Sequence, residues 1–158
     1  MDIVHSLREA LQLVVGLDPG FVSIVLRSLG ITLSAVLVAS LIGLPLGAVL
    51  ALARFPGRTA LVVLTNALMG LPPVVVGLIL FMLLSRSGPM GVLGLLFTPA
   101  AMIAAQTVLV LPIIVALTRQ VIEELWLEYE EHLRSVGATM LGAVPTLLWD
   151  ARFSLVTA

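Results

Sequence analysis

The sequence contains no cysteine and no lysine, so all eight of its Lys-or-Arg cations are arginines. Without cysteine there is neither a disulfide nor a thiolate metal site. Without lysine there is no Walker A phosphate loop, whose Gly-Lys pair holds nucleotide phosphates, so ATP chemistry of that kind must lie in another chain. Charge is scarce as well: 11% of residues are charged, against about a quarter in an ordinary soluble domain. The two histidines, His5 and His132, are far apart in sequence. No HExxH, GxSxG or glycine-rich dinucleotide motif is present. These absences argue against an enzyme, and no cofactor, metal or nucleic-acid partner is expected. What is abundant is apolar, 60% of the 158 residues. The expected fold is therefore all-α, a polytopic transmembrane helical protein.

Residues 1–27 read as an interfacial helix and a turn. Ile3 to Leu17 is amphipathic, carries Arg8 and Glu9 in its middle, and is too short to span. Asp18-Pro19-Gly20 reads as the turn. Residues 28–118 form the expected membrane core, with spans near 28–53, 59–85 and 99–118. The first, Ser28 to Ala53, is an uncharged run of 26 residues. At about 1.5 Å per residue it crosses a hydrocarbon core of about 30 Å. Gly43 and Gly47 within it have the four-residue spacing that lets helix backbones approach, and Pro45 between them should bend the helix. A plain tilted anchor is the alternative.

Arg54-Phe-Pro-Gly-Arg58 is a short loop with two arginines and no acid. Basic short loops stay cytoplasmic, so the first span runs inward and the second returns outward. The second run holds Asn66, then Met69-Gly-Leu-Pro-Pro-Val-Val-Val-Gly77. Pro72 and Pro73 remove adjacent backbone donors, and broken backbone in a membrane faces protein or a water-filled cavity. Asn66, Gly70, Pro72, Pro73, Gly77 and, in the third run, Gln106 are candidates for lining or gating a passage. A kink that serves only packing is the alternative. Ser85 to Gly91 reads as an outside loop, and Gly91 to Thr98 as interfacial or partly re-entrant.

Arg119 to Asp150 reads as water-facing and partner-binding, and the last region as a whole, 119–158, adds the start of a further span. Ile122, Leu125, Tyr129, Leu133 and Val136 recur at helical spacing and form one apolar stripe. Most of the acids lie off it. Arg119 can pair with Glu123, and Glu130 with Arg134, at i,i+4. Gly137 stops or bends the helix, and Gly142 and Pro145 interrupt the apolar piece beyond it. A helix lying on the lipid surface usually presents a basic face, whereas this one has five carboxylates against two arginines. Docking into another protein's groove fits better.

These residues carry a resemblance. The segment resembles the cytoplasmic loop of ABC transporter permeases, E-A-A-x-x-x-G-x9-I-x-L-P, with Glu131 at the Glu position, Gly137 at the Gly position and Leu147 at the Ile position. His132 and Leu133 stand in place of the alanines, Trp149 in place of the Leu and Asp150 in place of the Pro. The run from Asn66 to Gly77, then Leu84-Ser-Arg-Ser-Gly-Pro89 and Leu95-Leu-Phe-Thr-Pro99, resembles the tungstate-type branch, to which molybdate and sulfate permeases are close. The resemblance implies a permease homodimer in the lipid of the cell's inner membrane. Two cytoplasmic ATP-binding subunits would drive it by alternating access, and an external substrate-binding protein would deliver the oxyanion. It also implies that Glu130, Glu131, Arg134, Gly137 and Ala138 form the loop that couples to the ATPase. Such permeases continue into at least two further spans, so the chain is expected to be a truncated copy or fragment, ending where the next span begins. A non-transporting membrane scaffold that binds a cytoplasmic partner through the same acidic loop is the alternative.

The cysteine-free background makes the topology testable. Gly57→Cys should react with a membrane-impermeant thiol reagent only from the cytoplasmic side, and Ser87→Cys only from outside. Labelling of both from one side would contradict the three-span arrangement.

Overall fold

A computed structural model describes residues 12, 14–135, 137, 139 and 142–157. Among these, the chain forms helices and turns and no strand. The order is α1 (Pro19–Leu52), α2 (Arg58–Met69), α3 (Pro73–Leu84), a 3₁₀ turn (Gly91–Leu93), α4 (Pro99–Ser135) and α5 (Val144–Thr157). Two of these, α1 and α4, are long and apolar enough to cross a membrane, and α2 with α3 would make a third span if counted as one broken element.

The first span starts earlier than the charge pattern suggests. Asp18 is not in a turn but caps α1: its carboxylate accepts from the backbone N–H of Gly20 at 2.9 Å and of Phe21 at 3.1 Å. Pro19 follows at the first helical position, where its missing N–H costs nothing. Asp-Pro-Gly suits a turn and a helix start equally well, and the apolar run after it decides. Residues 19–27, expected ahead of the span, therefore belong to α1, which ends at Leu52. Pro45 lies inside α1 and Pro112 inside α4 without ending either helix.

The second run is not one crossing helix. α2 and α3 have 12 residues each and meet at 99°. At about 1.5 Å per residue each is roughly 18 Å long, short of the hydrocarbon core. The cause is local. Leu71 precedes Pro72 and is steered out of the helical region, and neither proline can donate. The end of α2 closes with tight bonds, Gly70 N–H to the Ala67 carbonyl at 3.1 Å and Leu71 N–H to the Leu68 carbonyl at 3.2 Å.

The helix of the third run does not stop at Thr118. α4 runs 37 residues without a break, about 55 Å at the same rise. Nothing between Pro112 and Gly137 is a helix breaker, and the boundary expected at residues 118/119 falls in mid-helix. Pro145 does not disrupt α5 either, because it sits in the first turn of that 14-residue helix.

The most extensive contact is between α1 and α4. Ile31, Ala35, Ala39, Gly43 and Gly47 form a buried row at four-residue spacing along α1. A Cβ on Gly43 would lie 2.8 Å from Ile114 Cγ2, and one on Gly47 would lie 2.6 Å from Thr118 Cβ and 2.7 Å from the Val115 carbonyl. Thr107 Oγ1 donates to the Ala35 carbonyl at 3.4 Å across the same seam. Toward the arginine-bearing loop the seam widens into a cluster of Ala48, Leu52, Ile122, Trp126, Ala143, Leu147 and Ala151, which brings α5 against both long helices.

Gly47→Val forces side-chain atoms against backbone and should cost about 1–3 kcal/mol. The expected result is a clear fall in the thermal unfolding midpoint in detergent. Gly30→Ala, where an added Cβ meets nothing within 4 Å, should leave the midpoint unchanged. Equal midpoints for both variants would contradict the seam.

Candidate functional site

Two regions carry residues of functional interest, the acidic C-terminal half of α4 and the broken pair α2–α3. Near the turn after α1, Arg58 is the first residue of α2, and Gly57 before it has φ +94°, which only glycine adopts without strain. The Arg58 guanidinium donates to the Leu50 carbonyl at 2.8 Å and the Ala51 carbonyl at 3.2 Å. It also pairs with the Glu123 carboxylate on α4. The other Glu123 oxygen accepts from Arg119 at 2.6 Å, the i,i+4 pair readable in the sequence. A half-polar recess of about 300 Å³ lies here, walled by Leu52, Arg54, Arg58, Glu123, Trp126 and Leu127.

Beyond this point α4 turns from apolar to acidic. Glu131 is exposed, Glu130 is half-buried, and Arg134 lies in the last turn of the helix. Gly137 follows with φ +78°, in the left-handed region, and an added Cβ there would meet nothing within 4 Å. The turn thus needs glycine for its backbone and not for space. Ala138 lies outside the described residues, as does the side chain of Arg134. Glu131 and Gly137 are close in sequence at one exposed end of the molecule, next to the start of α5.

The candidates for a passage are not brought together. Gly70, Pro72 and Pro73 sit at the 99° bend and are exposed. Asn66 is exposed on α2. Gly77 lies on α3 beside a recess shared with Phe81, Phe97 and Met102. Gln106 lies on α4, and its buried Oε1 has no hydrogen-bond partner. The groove of about 510 Å³ enclosed by α1, the bent pair and α4 is lined by apolar side chains such as Leu46, Phe55, Leu68 and Val108, with Thr65 as its polar member. Neither Asn66 nor Gln106 lines it. Thr65 itself is satisfied by the Leu61 carbonyl at 2.8 Å. Among the described residues, no three His, Asp or Glu side chains gather as a metal site would need.

Sequence reasoning missed the Arg58–Glu123 pair, because its partners are 65 residues apart. It also missed Ala35 and Ala39, although their four-residue spacing from Gly43 was a usable signal. Thr118, fully buried opposite Gly47 with an unpartnered Oγ1, had no signal in the sequence.

Comparison with known proteins bears on what these regions serve. Residues 43–145 match the model of the family described as binding-protein-dependent transport system inner membrane component. A Haloferax volcanii protein titled "Probable anion ABC transporter permease protein" is 39% identical over 87 residues, 55% of this chain and 38% of that protein. The tungstate uptake system permease protein TupB of Campylobacter jejuni is 41% identical over 86 residues, 54% of this chain and 36% of its own length. TupB of Peptoclostridium acidaminophilum is 31% identical over 153 residues, 97% of this chain and 67% of that protein. The chain thus spans well under half of the first two relatives. No solved structure matches it.

Gln106 yields a test of its surroundings. A buried carbonyl oxygen without a partner costs about 1–3 kcal/mol. Gln106→Leu should therefore unfold at the same temperature as the parent in detergent, or higher. A marked drop would mean that the amide holds a partner.

Proposed function

Because the chain belongs to the family of binding-protein-dependent transport system inner membrane components, we propose that it serves as the membrane subunit of an ATP-driven importer. The observation that carries this proposal is the family match from Gly43 to Pro145, which takes in the glycines of the α1–α4 seam, the bent pair, all of α4 and the turn after it. The cargo is an oxyanion, tungstate before molybdate or sulfate. The relatives titled as tungstate and anion permeases support that order, one of them over 97% of this chain.

The partner subunits follow from the same proposal. A cytoplasmic ATP-binding subunit docks on the turn around Glu131 and Gly137. An external binding protein delivers the anion, and a second copy of the permease completes the passage within the lipid. The permease itself forms and breaks no covalent bond. Its work is alternating access, in which ATP binding and hydrolysis in the partner move the exposed end of α4. Since α4 is one helix from the membrane to that end, movement there reaches the α1 seam without a hinge between. The exposed break at Gly70–Pro73, with Asn66 and Gly77 on its two arms and Gln106 on α4, lines or gates the passage. The exposed, non-helical backbone at Gly70–Pro72 supports this role, since such backbone within a membrane needs water or protein around it.

The test is retention of the ATP-binding subunit on the solubilised, tagged full chain at low and moderate salt. Glu131→Lys reverses a charge at the dock. If the charge is buried there the cost is about 2–5 kcal/mol, and far less at a rim. Gly137→Val puts a β-branched residue at φ +78°, where the backbone itself must change. Both variants should insert and accumulate like the parent yet retain less ATP-binding subunit. Unchanged retention for both would remove the docking role.

A further inference from the structure

Glu123 is held between two guanidiniums, Arg119 from its own helix and Arg58 from the start of α2. Arg58 is held in turn on its other side. The Leu50 and Ala51 carbonyls that it caps are among those the end of α1 leaves without intrahelical donors. One side chain therefore ties the end of α1, the start of α2 and the cytoplasmic half of α4. Isolated exposed ion pairs are worth little. These side chains, however, are only 31% (Arg58), 32% (Glu123) and 19% (Arg119) exposed. On either side of Glu123, fully buried Ile122 and buried Trp126 fix α4 to Leu52 of α1. By contrast α2, the first arm of the bent pair, buries none of its own residues. Its fixed end is Arg58.

We propose that the Arg58–Glu123 contact is the strut that passes movement of α4 to the bent pair. It rests on the reading of the turn after α4 as the dock of the ATP-binding subunit. When that subunit moves the exposed end of α4, Glu123 moves with it. Arg58 then draws the first turn of α2 along, while Gly57 supplies the backbone freedom behind it. Arg58 and Glu123 are positioning residues: they contact no cargo and set the angle at which α2 and α3 stand. Arg119 keeps Glu123 paired if Arg58 is removed, so loss of Arg58 leaves no bare carboxylate in the protein.

The experiment uses the full chain with its ATP-binding subunit in proteoliposomes, with tungstate-loaded binding protein outside. Retention of the ATP-binding subunit and stimulation of ATP hydrolysis by the binding protein are both read. Arg58→Gln and Glu123→Gln should retain the subunit as the parent does and lose stimulation by about tenfold, the scale of a typical coupling energy. The double variant should be no worse than either single, since both remove one contact. Arg119→Ala, which leaves the strut, should stay near the parent. Parental stimulation in the two singles, or a double loss equal to the product of theirs, overturns the strut alone. A parent that retains no ATP-binding subunit overturns the docking reading and the strut with it. If Arg58→Gln does not accumulate, Arg58→Lys keeps the charge but not the planar fork that meets several acceptors. It should show intermediate stimulation, and full parental stimulation there overturns the proposal.

Discussion

The absence of side chains at Gly43 and Gly47 fixes how closely α1 and α4 can approach, and much else follows from that distance. A Cβ at either position would fall inside the van der Waals envelope of Ile114 or Thr118. In a membrane, lipid tails are as apolar as leucine, so helices gain by packing closely and not by escaping solvent. The row of small residues from Ala35 to Gly47 meets that requirement. It sets the two long helices side by side, and the Ala48–Leu52 end of α1 then meets Ile122 and Trp126 beyond it. That cluster in turn holds α5 through Leu147 and Ala151. The acidic end of α4 is thus carried on the packed pair and is not a separate appendage.

Some of this was legible in the sequence and some was not, for identifiable reasons. Long uncharged runs announce membrane helices because buried backbone must bond to itself. Their ends are harder to read. Asp18-Pro19-Gly20 has the residues of a turn and also those of a helix cap. Polarity at Arg119 marks a change of surroundings and not the end of the helix, which stops only where the backbone must leave the helical region, as at Gly137. Pro72 and Pro73 announced a break, but its 99° angle depends on how α2 and α3 rest on their neighbours. Local spacing exposed the Arg119–Glu123 pair and could not expose Arg58–Glu123, whose partners meet only after the chain has folded back twice. The residues singled out for a passage share no cavity in this single chain, and the groove beside them is apolar.

Continuity of α4 is what links these features to the proposed transport role. If a partner's ATP cycle supplies the work, as proposed, a continuous helix ending at an exposed glycine turn can transmit it. The first arm of the bent pair, α2, buries none of its own residues, and moving elements are drawn from the weakly anchored parts of a fold. In the proposed mechanism the seam stays fixed, α4 is the lever, and α2–α3 is the part that moves, joined to the lever near Arg58.

The close approach at the seam can be measured on the cysteine-free chain with a cysteine pair. Gly43→Cys with Ile114→Cys places the two sulfurs on carbons whose present separation, from the Gly43 Cβ position to Ile114 Cβ, is 3.1 Å. A disulfide wants about 3.5–4.5 Å between these carbons, a small adjustment once isoleucine is replaced by the smaller cysteine. Mild oxidation in the membrane should close an intramolecular disulfide and leave no free thiol. If both thiols stay free and react separately with maleimide under those conditions, α1 and α4 do not pack as described, and the lever has no fixed seam to work against.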